Sequence, residues 1–121
     1  MPAPKPYREE RPWGEFIEFT RDQPSTVKLL TVRPGEALSL QSHRKREEFW
    51  RVLSGNGTIT VGAERMPAEP GKEYFIPLET NHRLEAGSEP LTILEISFGR
   101  FDDADIVRLE DRYGRAGGAT S

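Results

Sequence analysis

No cysteine occurs in the 121 residues. A disulfide framework and a thiolate metal site are therefore excluded, and any bound metal must be held by nitrogen and oxygen ligands. Positive charge is not in excess either: 17 basic residues face 20 acidic ones, for a net charge of -3. Such a balance leaves no basic field to hold a nucleic-acid backbone. Long apolar runs are missing too. No segment approaches a membrane-spanning helix, and Met1 to Glu10 carries three prolines among charges rather than a signal-peptide core. The expectation is a cytoplasmic protein with neither a membrane nor a nucleic-acid partner. Lysine is scarce beside arginine, 4 against 13. That bias suits bidentate recognition of carboxylate or phosphate, and codon usage explains it equally well.

What the chain does have is regular punctuation. Pro34-Gly35, Gly55-Asn56-Gly57, Pro70-Gly71, Pro77, Ala86 to Pro90 and Gly99 bound short runs rich in β-branched and aromatic residues. These runs are Phe16 to Phe19, Val27 to Arg33, Leu38 to Ser42, Phe49 to Leu53, Thr58 to Val61, Tyr74 to Ile76, His82 to Glu85 and Leu91 to Phe98. Each has the length of a strand, and their even spacing predicts an all-β sandwich or barrel of one domain. Asn56-Gly57 reads as a two-residue hairpin turn. One short helix is expected at the C-terminal end, Asp102 to Tyr113, where Ile106, Leu109 and Tyr113 sit at helical spacing behind an Asp-rich start. The domain is assigned to residues 11–115, between an N-terminal extension (1–10) and a disordered tail (116–121).

Histidine is limited to His43 and His82, each at the edge of an expected strand. Residues two apart on a strand share a face, so Gln41 and His43 point the same way, and Glu48 shares its face with Trp50 and Val52. A hairpin of these two strands would bring an amide oxygen, an imidazole and a carboxylate into one pocket, with His82 as a fourth ligand from a distant strand. All four can bind a divalent cation.

The spacing adds to this. The chain reads Gly35, five residues, Gln41, one residue, His43, four residues, Glu48, six residues, Gly55; later it reads Gly71, five residues, Pro77, four residues, His82. This pattern resembles the two motifs of the cupin superfamily, a double-sheet jelly-roll β-barrel, with Gln41 where many members have a first metal-binding His. Arg11-Pro12-Trp13-Gly14, the run from Leu38 to Trp50 and the run from Asp105 to Arg115 are together similar to the type II mannose-6-phosphate isomerase cupin. That resemblance covers residues 11–115.

It implies a metal set of Gln41, His43, Glu48 and His82, and an Arg108 that faces the active site. It also implies an enzyme, an aldose–ketose isomerase interconverting mannose 6-phosphate and fructose 6-phosphate. In that family the domain commonly forms the C-terminal half of a bifunctional enzyme, so the expectation here is a free-standing form without the nucleotidyl-transferring half. The chain departs from the family at Arg44, Lys45 and Phe49, where His is usual, and at Ser97, where Gln is common.

The chemistry needs a base, a Lewis acid and a cation for the phosphosugar substrate. Glu95, in an apolar strand with Ile93 and Ser97 on its face, is either a pocket acid or base or the partner of a nearby Arg. Arg108 is either an anion clamp or a helix-surface partner of Asp105 or Asp111. Lys28 and Arg46 are weaker phosphate contacts, Trp50 is a candidate pocket wall, and Trp13 is expected in the core. One divalent ion per chain is expected, zinc first, with manganese, cobalt, nickel or iron acceptable to the same ligands. Phe16, Phe19 and Leu30 are assigned to the contact of a symmetric homodimer. The alternatives to the isomerase are a metal- and sugar-binding cupin without turnover and a cupin oxygenase.

Overall fold

The computed structural model describes residues 6–110, and all the regular structure among them is strand. A hairpin of β1 (Tyr7–Arg11) and β2 (Gly14–Glu18) precedes β3 (Ser25–Val32), β4 (Leu40–Ser42), β5 (Arg46–Ser54) and β6 (Gly57–Val61). Then follow β7 (Glu64–Ala68), β8 (Glu73–Ile76), β9 (His82–Ala86), β10 (Leu91–Gly99) and β11 (Val107–Glu110). One sheet has the order β3-β10-β5-β8 and the other β11-β4-β9-β6-β7, while β1 and β2 pair only with each other. No helix among the described residues is long and apolar enough to cross a membrane.

The core lies between the two larger sheets, where alternate residues of each strand turn inward. Trp50, Val52, Ile76, Leu91 and Ile93 from the four-stranded sheet pack against Ile59, Ala68 and Leu84 from the five-stranded one. A second cluster lies on the outer face of the four-stranded sheet. There Phe49, Ile96 and Phe98 are covered by Phe19, whose ring centroid is 5.7 Å from that of Phe49. Phe19 and Leu30 thus spend much of their surface inside the chain, and Phe16 is half-buried beside Tyr7. Val27 and Leu29 on β3 are the more exposed apolar side chains of that region.

Several expectations are corrected. The runs containing Gln41 and Glu48 do not form a hairpin: β4 lies in one sheet and β5 in the other. The turn at Gly55-Asn56-Gly57 likewise carries the chain from sheet to sheet, because alternation fixes which face a residue takes but not which strand it pairs with. Asn56 instead binds the turn at 87–89: its amide donates to Ser88 Oγ, and its oxygens accept from Gly87 and Glu89 N–H. The helix expected over Asp102 to Tyr113 is replaced at Val107–Glu110 by β11, in which Arg108 is buried between exposed Val107 and Leu109. A ladder to β4 supplies hydrogen bonds that an isolated helical turn lacks. Asp111 to Tyr113 and the tail lie outside the described residues. Trp13 is 71% exposed at the turn between β1 and β2 rather than in the core.

Gly55 explains why the crossing is sharp. Its φ of +93° disfavours L side chains, and a Cβ there would lie 1.8 Å from the Pro90 carbonyl oxygen. Gly55→Ala is expected to cost about 2 kcal/mol or more in urea unfolding, with Asn56→Ala costing less. A Gly55→Ala midpoint equal to wild type would contradict this packing.

Candidate metal centre and its pocket

Strand register sets two rows of side chains facing each other across the sandwich. From the four-stranded sheet come Lys28, Glu95, Trp50 and Tyr74, each paired with the next. The other sheet presents Arg108, Gln41, His82 and Val61 in the same way. Between the rows is a cavity of about 230 Å³ lined by Lys28, Glu95 and Trp50 from one and Arg108, Gln41 and His82 from the other, together with His43, Arg46 and Glu48. Carboxylates, imidazoles and guanidinium groups so deep in a small domain are costly unless paired or functional.

At its inner end His43, Glu48 and His82 are each at least 96% buried, with ligand atoms all within 4.8 Å of one another. His43 Nε2 lies 3.5 Å from Glu48 Oε2, and His82 Nε2 lies 3.4 Å from Glu48 Oε1. Both rings are oriented from behind. His43 Nδ1–H donates to the Asp105 carbonyl at 2.6 Å, and His82 Nδ1–H donates to the Thr80 carbonyl at 2.8 Å. With Nδ1 protonated, a neutral imidazole carries its lone pair on Nε2, so both lone pairs converge on the carboxylate.

Glu48 Oε1 is buried without a hydrogen-bond partner. Lone pairs meeting lone pairs in a dry site form a poor hydrogen-bond network and a good cation site, and backbone carbonyls behind the rings are the usual outer support of metal-binding histidines. The donor set therefore fits a divalent ion. Gln41 stands directly across the ladder from His82, as a fourth ligand requires.

The electrostatics agree. Burial holds the His43 imidazole below its ordinary value, against the pull of Glu48, so the ring is neutral and its lone pair available. Burial alone would raise the Glu48 carboxyl, yet His82 and His43 in their protonated forms and the permanent charge of Arg46 outweigh it and hold the group below its ordinary value; with the rings neutral, the Arg46 charge remains to keep it an anion. The Arg46 guanidinium is committed to this cluster: it donates to Glu48 Oε2 at 3.2 Å, to His43 Nε2 at 3.3 Å and to the Asp102 carbonyl at 3.2 Å.

Glu95 is the second buried carboxyl of the cavity. Burial, reinforced by the charge of Glu48, pushes it up to about 7. The Trp50 indole N–H donates to its Oε2 at 3.2 Å, and the same indole stands edge-on to His82 at 5.4 Å. Among the described residues no arginine forms an ion pair with Glu95; its cross-strand cation is Lys28. Arg108 is 3% exposed, and its expected partner Asp105 spends its carboxylate on the backbone N–H groups of Arg44 and Lys45.

Two contributors escaped the sequence analysis, both on the 100–106 connection. Phe101 lies under Lys28 Nζ at 4.5 Å and Arg46 Cζ at 4.4 Å, and Asp105 anchors His43. Of the departures from the family pattern, Arg44 and Lys45 are exposed on the turn before β5, and Phe49 faces the outer surface under Phe19. Only Ser97 is near the site, paired across the ladder with Glu48.

Two facing antiparallel sheets around a buried His/Glu cluster make this chain a cupin. Solved structures share the fold. A cupin protein from Bacteroides fragilis is 26% identical with a TM-score of 0.58, over 62% of this chain and 65% of that one. A protein from Acidithiobacillus ferrooxidans, provisionally called a sugar phosphate isomerase, is 31% identical with a TM-score of 0.58, over 64% of this chain and 51% of that one.

Within the cupins the chain belongs to the family described as mannose-6-phosphate isomerase C-terminal, whose sequence model matches residues 5–111. It is 42% identical to the xanthan biosynthesis protein XanB of Xanthomonas campestris pv. campestris over 87% of this chain and 23% of that protein. It is 39% identical to the mannose-1-phosphate guanylyltransferase ManC of Salmonella typhimurium, over 87% of this chain and 22% of that protein.

The chain thus spans less than a quarter of the curated relatives it matches. This overturns the expected assignment to this chain of the interconversion of mannose 6-phosphate and fructose 6-phosphate. The relatives are named for guanylyl transfer or xanthan biosynthesis, and the shared motifs mark the domain, not the reaction of a whole protein.

Proposed function

We propose that the pocket is a metal-assisted acid–base site of the aldose–ketose isomerase class, one that moves a proton between neighbouring carbons of a small hydroxycarbonyl sugar. One juxtaposition carries the reading. A buried cluster of converging metal-ligand lone pairs shares its cavity with a second buried carboxyl, Glu95. His43, His82, Glu48 and Gln41 would hold the ion, zinc first. It would supply a Lewis acid for the substrate oxygens.

Glu95, titrating near neutrality, takes a proton from one carbon and returns it to the next, work that is most efficient when the pKa lies near the working pH. The Trp50 indole keeps that carboxyl aimed. Lys28 and Arg108 bring positive charge to the two edges of the cavity, where an anionic substituent or a developing oxyanion is stabilised. Arg46, already bonded to Glu48, His43 and Asp102, holds the ligand set in place instead of binding substrate.

The test is deuterium exchange. Zinc-loaded protein is incubated in D₂O with a panel of aldoses and aldose phosphates, and incorporation of deuterium beside the carbonyl is followed by NMR. Catalysed exchange with at least one sugar is expected. A sugar that binds in calorimetry without exchanging, with every metal tried, would establish the non-catalytic binding reading.

A further inference from the structure

The connection between β10 and β11 is irregular, yet it is tied down at each step. The Asp102 side chain accepts from Ala104 N–H at 2.9 Å, and the Asp102 carbonyl accepts from Asp105 N–H at 2.9 Å. Asp105 then meets three consecutive residues of the turn between β4 and β5. Its carboxylate accepts from Arg44 N–H and from Lys45 N–H, both at 2.9 Å, while its carbonyl accepts from His43 Nδ1–H at 2.6 Å. The two histidines therefore differ in how they are held. His82 leans on a carbonyl two residues away, part of its own strand entry, whereas His43 depends on a residue 62 positions further along the chain.

We propose that Asp105 is a positioning residue for the metal centre: its carboxylate clamps the 43–45 turn so that its own carbonyl fixes the His43 ring with Nε2 turned to the metal. The inference rests on the metal-binding reading above but needs no turnover. A carbonyl cannot be mutated, but the clamp that places it can. Without the carboxylate, the two N–H groups turn to water and the 2.6 Å bond loses the tie between Asp105 and the 43–45 turn, leaving Asp105 held by its own N–H bond to the Asp102 carbonyl. The Asp-rich stretch that resembles a helix start is, on this view, an outer support of a ligand.

The experiment compares wild type, Asp105→Ala and Asp105→Asn in two measurements. On metal-free protein, ¹⁵N NMR of the imidazoles reads which ring nitrogen carries the proton. In chelator competition, zinc affinity is read directly. For Asp105→Ala, zinc affinity is expected to fall about 10–100-fold, the range found for lost outer supports. The His43 ring should pass from the Nδ1–H form to a mixture while the His82 ring stays unchanged. Asp105→Asn, which keeps one acceptor oxygen, should fall between.

Zinc affinity within about twofold of wild type, an unmoved His43 ring, or equal disturbance of both rings would overturn the proposal. If Asp105→Ala does not fold, Asp105→Asn decides on the same criteria. Because neither readout involves a sugar, a protein that shows the His43 effect yet exchanges no deuterium refutes only the proposed function.

Discussion

Glu95→Gln is expected to lower the deuterium-exchange rate about 10²–10⁴-fold, the span that a positioned acid or base contributes, while leaving zinc content unchanged. Glutamine keeps an oxygen to accept the Trp50 indole N–H, so the wall of the cavity stays in place and the loss isolates the proton-transfer role.

Stability should move the other way. A carboxyl raised from 4.5 to about 7 holds its proton in the folded state where the unfolded chain has lost it. Its effect therefore makes the metal-free protein less stable as pH rises from 4.5 through 7. The shift corresponds to roughly 3 kcal/mol at full burial. His43, whose folded value is depressed, has the opposite slope just below 6.5, so the difference between wild type and Glu95→Gln is the informative quantity. Denaturant titrations of the metal-free proteins at pH 5 and pH 8 should show Glu95→Gln gaining on wild type at the higher pH. Parallel curves, with exchange reduced less than about tenfold, would remove Glu95 from the site.

The second large effect concerns the ligands. His43→Ala and His82→Ala should each weaken zinc binding by more than the 10–100-fold associated with an outer support, because each removes a lone pair that the fold aims at the ion. Gln41→Ala removes a neutral oxygen from the same set and should cost less, on the order of tenfold by the same scale. Full zinc occupancy in both histidine variants by elemental analysis would end the assignment of this cluster as a metal site.

How much of this was legible in the residues varies with the kind of information. Period-two alternation was enough to put Glu48, Trp50 and Val52 on one side of β5 and Ile93, Glu95 and Ser97 on one side of β10, and all six are buried on the same face of the sheet. It could not say that β4 and β5 belong to different sheets, because pairing partners are set by the whole topology. β7 was invisible because Pro67 interrupts it, which an edge strand bonded only to β6 can accept. β1 was missed for its run of charge. At the C-terminal end Ile106 and Leu109 fit a helix as well as a strand, and the ladder to Gln41 decided the matter. Asp105 acts through a carbonyl and two backbone N–H groups, and backbone partners leave no pattern in side-chain chemistry.

The two tryptophans sit in opposite surroundings, and this gives the molecule two optical channels. Trp13 is in water at the tip of a hairpin that pairs with neither larger sheet, so its emission is expected to be red-shifted and open to quenchers such as iodide. Trp50 is 1% exposed, bonded to Glu95 and edge-on to His82, so its emission is expected to be blue, shielded and sensitive to whatever occupies the two neighbouring side chains. Replacing Trp13 with phenylalanine leaves a single tryptophan beside His82, and with excitation selective for tryptophan, binding at the centre then becomes readable by light alone, without a substrate or a coupled enzyme.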